Sequence, residues 1–384
     1  MKRINKRVLM IIGTLLIVLS MFFSGCKFVD VLENNITNDE QNEIICDAKD
    51  GTPIVSYVSV DSEVYSSTAE VVKAVSDSVV EISTETVTTS WGRQYIASGA
   101  GSGVIVGAKN DIYYIITNNH VIEGANDITV RTRNGEEYNA TLLATDDSAD
   151  IAVVIIKSSK ELNIAIMGNS DDLEIGEDLI AIGNPLGSLG GTVTKGILSA
   201  TGRNIQIGNY AMTLLQTDTA INPGNSGGGL FNMKGELIGI VNAKTADEEI
   251  EGICFAIPIN NAKRVFSDLV EYGYILGRAT FNIEVSEATL SSGMGGQAKT
   301  VVYITKVNSS SSSNFKQYDM IYKINGVEIT SLLDFNNALA KINAGDEVTV
   351  EVYRGSVSQS FWSSGISFSN DSETFTTVAK QYGE

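Results

Sequence analysis

Short apolar runs separated by glycine, asparagine and aspartate fill the middle of the chain. Val79 to Thr86 alternates as a half-buried strand should, and Gly103 to Val106, Tyr113 to Thr117, Ile128 to Arg131, Tyr138 to Ala144 and Ile151 to Ile156 predict further strands. A second set follows at Leu179 to Ile182, Val193 to Ala200, Leu214 to Thr217, Leu237 to Val241 and Ile253 to Ile257. Many short strands with polar punctuation predict closed antiparallel barrels or a sandwich. Helical spacing is confined to two places here. One is Thr68 to Ser76, with Val71, Val72 and Val75 on one side. The other follows Pro258, where Ala262, Val265, Phe266, Leu269 and Val270 share a face, Asn260 can cap the start and Gly273 ends the helix. Beyond residue 277 the pattern changes to a smaller mixed unit. Val301 to Val307, Glu347 to Tyr353 and Thr374 to Val378 read as strands, and Leu332 to Lys341 as a helix.

The ends of the chain read differently. Lys2, Arg3, Lys6 and Arg7 precede an apolar run from Val8 to Phe23, then Ser24-Gly25-Cys26. Such a run is the core of a signal segment, and is short for a span of about 20 residues. Two readings stand: an uncleaved anchor with its positive end cytoplasmic, or a bacterial lipobox with Cys26 as the lipidated first residue. Both put the protein on the extracytoplasmic face of a membrane. Residues 27 to 66 are polar and acidic with little periodicity, which predicts a flexible tether. Cys46 in that tether and Cys254 in a strand are read as two unpaired thiols, with a disulfide between them as the alternative.

Composition narrows the chemistry. At 384 residues the chain holds two or three domains, and a hydrophobic fraction of 43% suits real cores. The net charge of −19 argues against nucleic acid or an anionic membrane surface as partner, because both need a basic footprint. Three cysteines and one histidine, far apart at Cys26, Cys46, His120 and Cys254, lack the paired spacing of the usual four-ligand Cys/His zinc site, and no phosphate-cradling Gly-Lys-Ser/Thr loop is present. No metal or organic cofactor is implied.

The chemically suggestive stretch is Asn222-Pro223-Gly224-Asn225-Ser226-Gly227-Gly228-Gly229. Alone, a serine between glycines is an ordinary turn. The single histidine, His120, lies in Thr117-Asn118-Asn119-His120-Val121, and Asp150 heads the run Asp150-Ile151-Ala152-Val153. A serine hydroxyl becomes a nucleophile when an imidazole takes its proton and a carboxylate steadies that imidazole. The chain order His, Asp, Ser is the chymotrypsin order.

These segments, with Gly183-Asn184-Pro185-Leu186-Gly187, Gln216-Thr217-Asp218-Thr219-Ala220-Ile221 and Phe255-Ala256-Ile257-Pro258, resemble those of the HtrA (Deg) serine proteases. The resemblance implies a mainly β protein: two six-stranded chymotrypsin-like barrels over 67–272, then a small α+β PDZ domain over 277–384. It implies His120, Asp150 and Ser226 as the catalytic triad, and Gly224, Asn225 and Ser226 as the oxyanion loop, with backbone N–H donors from Gly224 and Ser226. Thr217 and Ile221 border the specificity pocket, with Ile240, Ala243, Cys254 and Ala256 as further walls. No aspartate is placed at the pocket base, so small or medium apolar residues are expected before the scissile bond. Cys254 and Gly229 stand where relatives have Gly and Pro, which narrows the pocket and loosens the following strand. Thr280-Phe281-Asn282-Ile283 falls at the carboxylate-binding loop of the PDZ domain, with Asn282 in place of the usual Gly. Tyr318 likewise replaces Gly before Asp319-Met320-Ile321, and the run Ser309 to Ser313 is expected to be flexible. The segment before Gly101, Ser90 to Ser98, reads as a short loop. The acidic loop within Ala243 to Gly252 reads either as a switch for the site or as a solvated surface.

The implied function is an extracytoplasmic endopeptidase acting on unfolded or misassembled polypeptides, with C-terminal peptides at the PDZ groove and a homotrimeric assembly. The rival readings are a chaperone-like binding protein with little turnover and a dedicated signalling protease.

Overall fold

The computed structural model describes residues 54–55, 64–90, 93–184, 191–222, 224–243, 252–290, 299–312, 314–360 and 363–382. The leader, Cys26, Cys46, most of the tether, Pro185 to Gly187 and most of the acidic loop lie outside them. Where the tether is described it is not free, since Ile54–Val55 pair with Gly107 and Ala108 and the Tyr65 N–H donates to the Met233 carbonyl at 3.0 Å. No helix among the described residues is long and apolar enough to cross a membrane.

The first barrel uses β1 (Ile54–Val55), β2 (Val79–Ser90), β3 (Arg93–Lys109), β4 (Ile112–Thr117), β5 (Asp127–Arg131), β6 (Glu137–Asp146) and β7 (Ile151–Lys157). Its order is β1-β3-β2-β5-β6-β7-β4, and β4 pairs back onto β3, so the strands after β1 close on themselves. The second barrel closes as β10-β13-β12-β11-β8-β9. Its strands are β8 (Asp178–Gly183), β9 (Thr192–Ile207), β10 (Tyr210–Thr217), β11 (Gly229–Phe231), β12 (Leu237–Asn242) and β13 (Cys254–Pro258).

The near-continuous apolar runs reflect burial on both faces of a strand. In β7, Ala152, Val154 and Ile156 point into the first barrel with Ile82, Ile105 and Ile115. Ile151, Val153 and Ile155 point the other way, into a layer shared with α1 (Thr68–Val75), α3 (Ile259–Tyr272) and residues of the second barrel. The short helix α2 (Asn119–Ile122) lies between these two in the chain, at the end of β4.

Several expectations change. The segment before Gly101 is no loop: Arg93 to Ser98 pairs with Glu85 to Ser90, extending the β2–β3 hairpin. Its β-branched and aromatic residues form cross-strand pairs such as Val87 with Ile96, although both side chains are exposed. Asn260 does not cap α3, because Pro258 is the capping residue and Asn260 sits inside the first turn. There its Nδ2 donates to Asn169 Oδ1 at 2.6 Å. Gly273 ends α3 with φ 78°, as expected of a glycine at that position. Gly229 loosens nothing, since a Cβ there would meet the Phe231 ring at 2.4 Å, and that ring fills the space.

The C-terminal part contains β14 (Ala279–Thr280), β15 (Ile283–Leu290), β16 (Lys299–Val307), β17 (Met320–Ile324), β18 (Val327–Glu328), α4 (Leu332–Leu339), β19 (Glu347–Ser360), β20 (Ser363–Val378) and β21 (Lys380–Gln381). The sheet order is β15-β16-β17-β19-β20, which leaves β15 at an edge beside α4. All described residues belong to one compact unit.

Candidate active site

The elements that carry the candidate triad are short and tightly bonded. Asn118, which is fully buried, follows β4 and caps α2; its Nδ2 donates to the Asp150 carbonyl at 3.0 Å. Asn119 Nδ2 donates to Asp147 Oδ1 at 2.8 Å, and Thr145 Oγ1 donates to Asn119 Oδ1. The flanking asparagines thus tie α2 to the turn between β6 and β7. Asp150 closes that turn at φ 50°, a left-handed conformation that Asp tolerates better than most residues. Its N–H donates to the Asp147 carbonyl at 3.2 Å.

His120 lies between Asp150 and Ser226. Its backbone N–H donates to Asp150 Oδ1 at 3.0 Å, and its Nδ1 is 2.7 Å from Asp150 Oδ2. An ionised carboxylate only accepts, so Nδ1 carries the proton and Nε2 presents its lone pair. Nε2 is 3.0 Å from Ser226 Oγ, so the serine hydroxyl can donate to it. The Ala243 N–H donates to the same Oγ at 3.2 Å. Asn242 Nδ2 donates to Asp150 Oδ2 at 2.8 Å. Nothing in the sequence marks Asn242 as part of the site, because it reads as the polar end of an apolar strand.

Around Ser226 the chain turns sharply. Gly224 has φ 99° and Gly227 φ 80°. A Cβ on Gly227 would lie 2.1 Å from the Ser102 carbonyl and 2.3 Å from Thr117 Oγ1, so glycine is required by close approach as well as by conformation. The Asn225 carbonyl accepts from the Gly228 N–H at 2.9 Å. In a trans peptide the Ser226 N–H then points the opposite way, which is the disposition an oxyanion donor needs. Asn225 is buried, with a side chain packed on Gly183.

The expected pocket residues divide. Ile221, Cys254 and Ala256 are buried together in the second barrel's interior, with Ala243 packed against them. Ile240 faces outward into the layer with Phe231 and Ile257, so it does not wall the same space. Thr217 is fully buried, its Oγ1 donating to the Ile197 carbonyl at 2.8 Å. Burial also pushes the Cys254 thiol above its ordinary pKa.

Farther off, a cavity of about 320 Å³ opens between β15 and α4. Phe281, Ile283, Phe335 and Leu339 form its apolar side, and Asp147 and Tyr210 lie opposite. Asn282 adopts φ 54°, a left-handed conformation in which asparagine can stand in for glycine. Its N–H already donates to Thr280 Oγ1 at 3.0 Å. The serine run is engaged: Ser311 Oγ donates to the Phe281 carbonyl at 2.7 Å, and Asn282 Nδ2 donates to Ser310 Oγ at 2.9 Å. Tyr318 has φ 73°, accommodated because Gly355 lets its carbonyl pass where a Cβ would come within 1.8 Å. Arg278 joins the two parts of the chain, pairing with the buried carboxylate of Asp146 through both guanidinium arms.

Comparison with known proteins agrees with this geometry. Residues 101–240 match the trypsin-like peptidase domain and residues 282–362 match the PDZ domain. Serine protease Do-like HtrB of Bacillus subtilis is 39% identical over 270 residues, covering 66% of this chain and 59% of the relative. Periplasmic serine endoprotease DegP of Escherichia coli is 38% identical over 270 residues, covering 68% of this chain and 56% of the relative. The chain therefore spans less than two thirds of the length of these curated relatives. Among solved structures, the HtrA-type protease AlgW with decapeptide is 30% identical with a TM-score of 0.53, covering 83% of this chain and 99% of that one. With a mainly β chymotrypsin-like fold, a PDZ domain behind it and relatives of this kind, the chain belongs to the HtrA family of serine proteases.

Proposed function

We propose that this protein is an extracytoplasmic serine endopeptidase that degrades or processes unfolded and misassembled polypeptides. The observation that carries the reading is the His120 ring, 2.7 Å from Asp150 Oδ2 on one side and 3.0 Å from Ser226 Oγ on the other. Ser226 Oγ attacks the scissile carbonyl as its proton passes to His120 Nε2. The Gly224 and Ser226 N–H groups receive the developing oxyanion. His120 then protonates the leaving amine, and water repeats the sequence to release the acyl group. Asp150 keeps the ring in its productive tautomer throughout. The apolar surroundings of Ile221, Cys254 and Ala256 favour a small or medium apolar residue before the cleaved bond.

Residues 67–272 act as the protease domain and 277–384 as the PDZ domain. The groove between β15 and α4 takes the carboxyl terminus of a peptide as an added strand; its edge position and apolar side support this, as does the decapeptide named with the solved relative. Residues 1–26 tether the chain to the outer face of the cell membrane, through lipid on Cys26 or as an uncleaved anchor, with residues 27–66 as the linker, of which Ile54–Val55 pair with β3. The term periplasmic in the relatives' names supports the location. The assembly is a homotrimer, which light scattering of the purified full chain would test.

The reaction itself is tested with a fluorophosphonate and with casein. A stoichiometric adduct on Ser226, lost in His120→Ala, together with casein cleavage lost in Ser226→Ala, is the expected result. Casein binding with no adduct and no cleavage would instead favour a client-holding protein without turnover.

A further inference from the structure

We infer that Ser102 is a positioning residue for the oxyanion loop, acting from the barrel that does not carry the nucleophile. The inference rests on the serine endopeptidase reading above. Ser102 lies in β3 and is fully buried. Each of its polar atoms is committed, and three of the four bonds reach the second barrel. Its N–H donates to the Ser226 carbonyl at 2.8 Å. Its carbonyl accepts from Thr117 Oγ1 at 2.7 Å. Its Oγ accepts from the Asn184 N–H at 2.8 Å and donates to the Gly224 carbonyl at 2.7 Å. The direction of this relay is not free: a backbone N–H can only donate and a carbonyl can only accept, so the hydroxyl proton must lie on Gly224.

The consequence concerns a peptide plane. The Gly224 carbonyl is turned into the buried seam between the barrels. The N–H of the same peptide, on Asn225, donates to the Asn222 carbonyl at 3.0 Å. Both ends of the Gly224–Asn225 peptide are therefore held, and it cannot rotate without breaking both bonds. Glycine itself offers no resistance to such rotation, since it lacks the Cβ that would restrict φ and ψ. A carbonyl swung toward the cleft would put an acceptor beside a site that needs donors. Ser102 Oγ–H supplies the restraint that Gly224 lacks.

The same bonds separate Ser102 from the chemical steps. It touches neither His120 nor Asp150, so the proton acceptor and its tautomer are untouched by its removal. Substrate binding along the cleft is also left in place.

The experiment compares wild-type full chain with Ser102→Ala and Ser102→Cys, using a fluorogenic peptide amide, the fluorophosphonate and thermal melting. Ser102→Ala is expected to lower kcat by about 10- to 100-fold, at or below the usual loss for a missing oxyanion donor. KM should stay within about 3-fold, and the midpoint of the kcat–pH profile should not move. The fluorophosphonate rate should fall by the same factor as kcat. Ser102→Cys keeps the size and a weak donor, so its kcat should lie between the two. A Ser102→Ala protein that folds and turns over within about 3-fold of wild type overturns the inference, as does a shifted pH midpoint. If Ser102→Ala does not fold, Ser102→Cys decides: lowered kcat at unchanged KM supports the role, and wild-type kcat overturns it. Wild type failing to label at Ser226 would sink the endopeptidase reading itself, whereas equal labelling of wild type and the folded Ser102→Ala sinks only the role of Ser102.

Discussion

Barrel one holds His120 and Asp150 largely with its own atoms: Asn118 bonds to the Asp150 carbonyl, Asp150 to Asp147, and the His120 N–H to Asp150 Oδ1. Barrel two carries Ser226 on the connection between β10 and β11, and much of what shapes that connection belongs to its neighbour. Ser102 bonds to the carbonyls of Ser226 and Gly224, and Gly227 presses on Ser102 and Thr117. The base half is self-supporting, while the nucleophile half is set by the seam. Asn242 contributes in the other direction, from barrel two to Asp150. Assembly of the site therefore depends on how the barrels dock as well as on how each one folds.

The largest expected effect leaves that asymmetry intact and removes the chemistry. Ser226→Ala or His120→Ala should each cut kcat by on the order of 10⁶, and Asp150→Asn by about 10⁴ through the wrong tautomer, read from peptide hydrolysis. Gly227→Ala should strike the seam directly. Its Cβ has no room against Ser102 and Thr117, and its φ is left-handed, so a loss of about 3 kcal/mol in denaturant unfolding is expected. If barrel one is self-supporting, the Gly227→Ala protein should keep slow amide exchange in β4 and β7 while β11 exchanges faster.

A smaller effect tests the reverse dependence. Asn242→Ala removes one donor from the Asp150 carboxylate and should lower kcat by about 10-fold, the equivalent of about 1.4 kcal/mol, with melting nearly unchanged. A loss as large as that of Asp150→Asn would show that barrel one does not hold its own carboxylate. The smallest effect concerns the β6–β7 turn. Burial, followed by the nearby carboxylates of Asp146, Glu123 and Asp150, raises the Asp147 pKa above its ordinary 3.8. The folded state then favours protonated Asp147. That stabilisation is complete below about pH 3.8 and is lost as pH rises through the folded value. Asp147→Asn should therefore melt higher than wild type at pH 7, by on the order of 1–2 °C, and match it near pH 3. A constant difference at all pH values would remove the charge explanation.

How much of this could be read from the sequence depended on the range of the interaction. Strand positions were legible because alternation and apolar runs are local, and β7 shows why both faces of one strand can be apolar. Strand lengths were not: the β2–β3 hairpin continues past Glu85 and Ser98, where Val87, Tyr95 and Ile96 are exposed and pairing rather than burial sets the structure. The short β11 was hidden inside a stretch that reads as a glycine loop. In the site, His120, Asp150 and Ser226 stand in segments whose residue types point to one chemistry. Ser102 and Asn242 gave no such sign, since their partners lie 122 and 92 residues away along the chain. Ile240 was placed in the pocket by the family resemblance, and the alternation of β12 turns it outward while Val241 faces in.

Cys254 offers a way to watch barrel two directly. Cys254 is 8% exposed, clustered with Ile221, Leu215 and Ala256, and burial suppresses its thiolate, so an alkylating reagent reacts slowly until the barrel opens. The alkylation rate at this position is thus a clock for the opening of the half that bears the nucleophile, readable by peptide mass mapping without altering a residue.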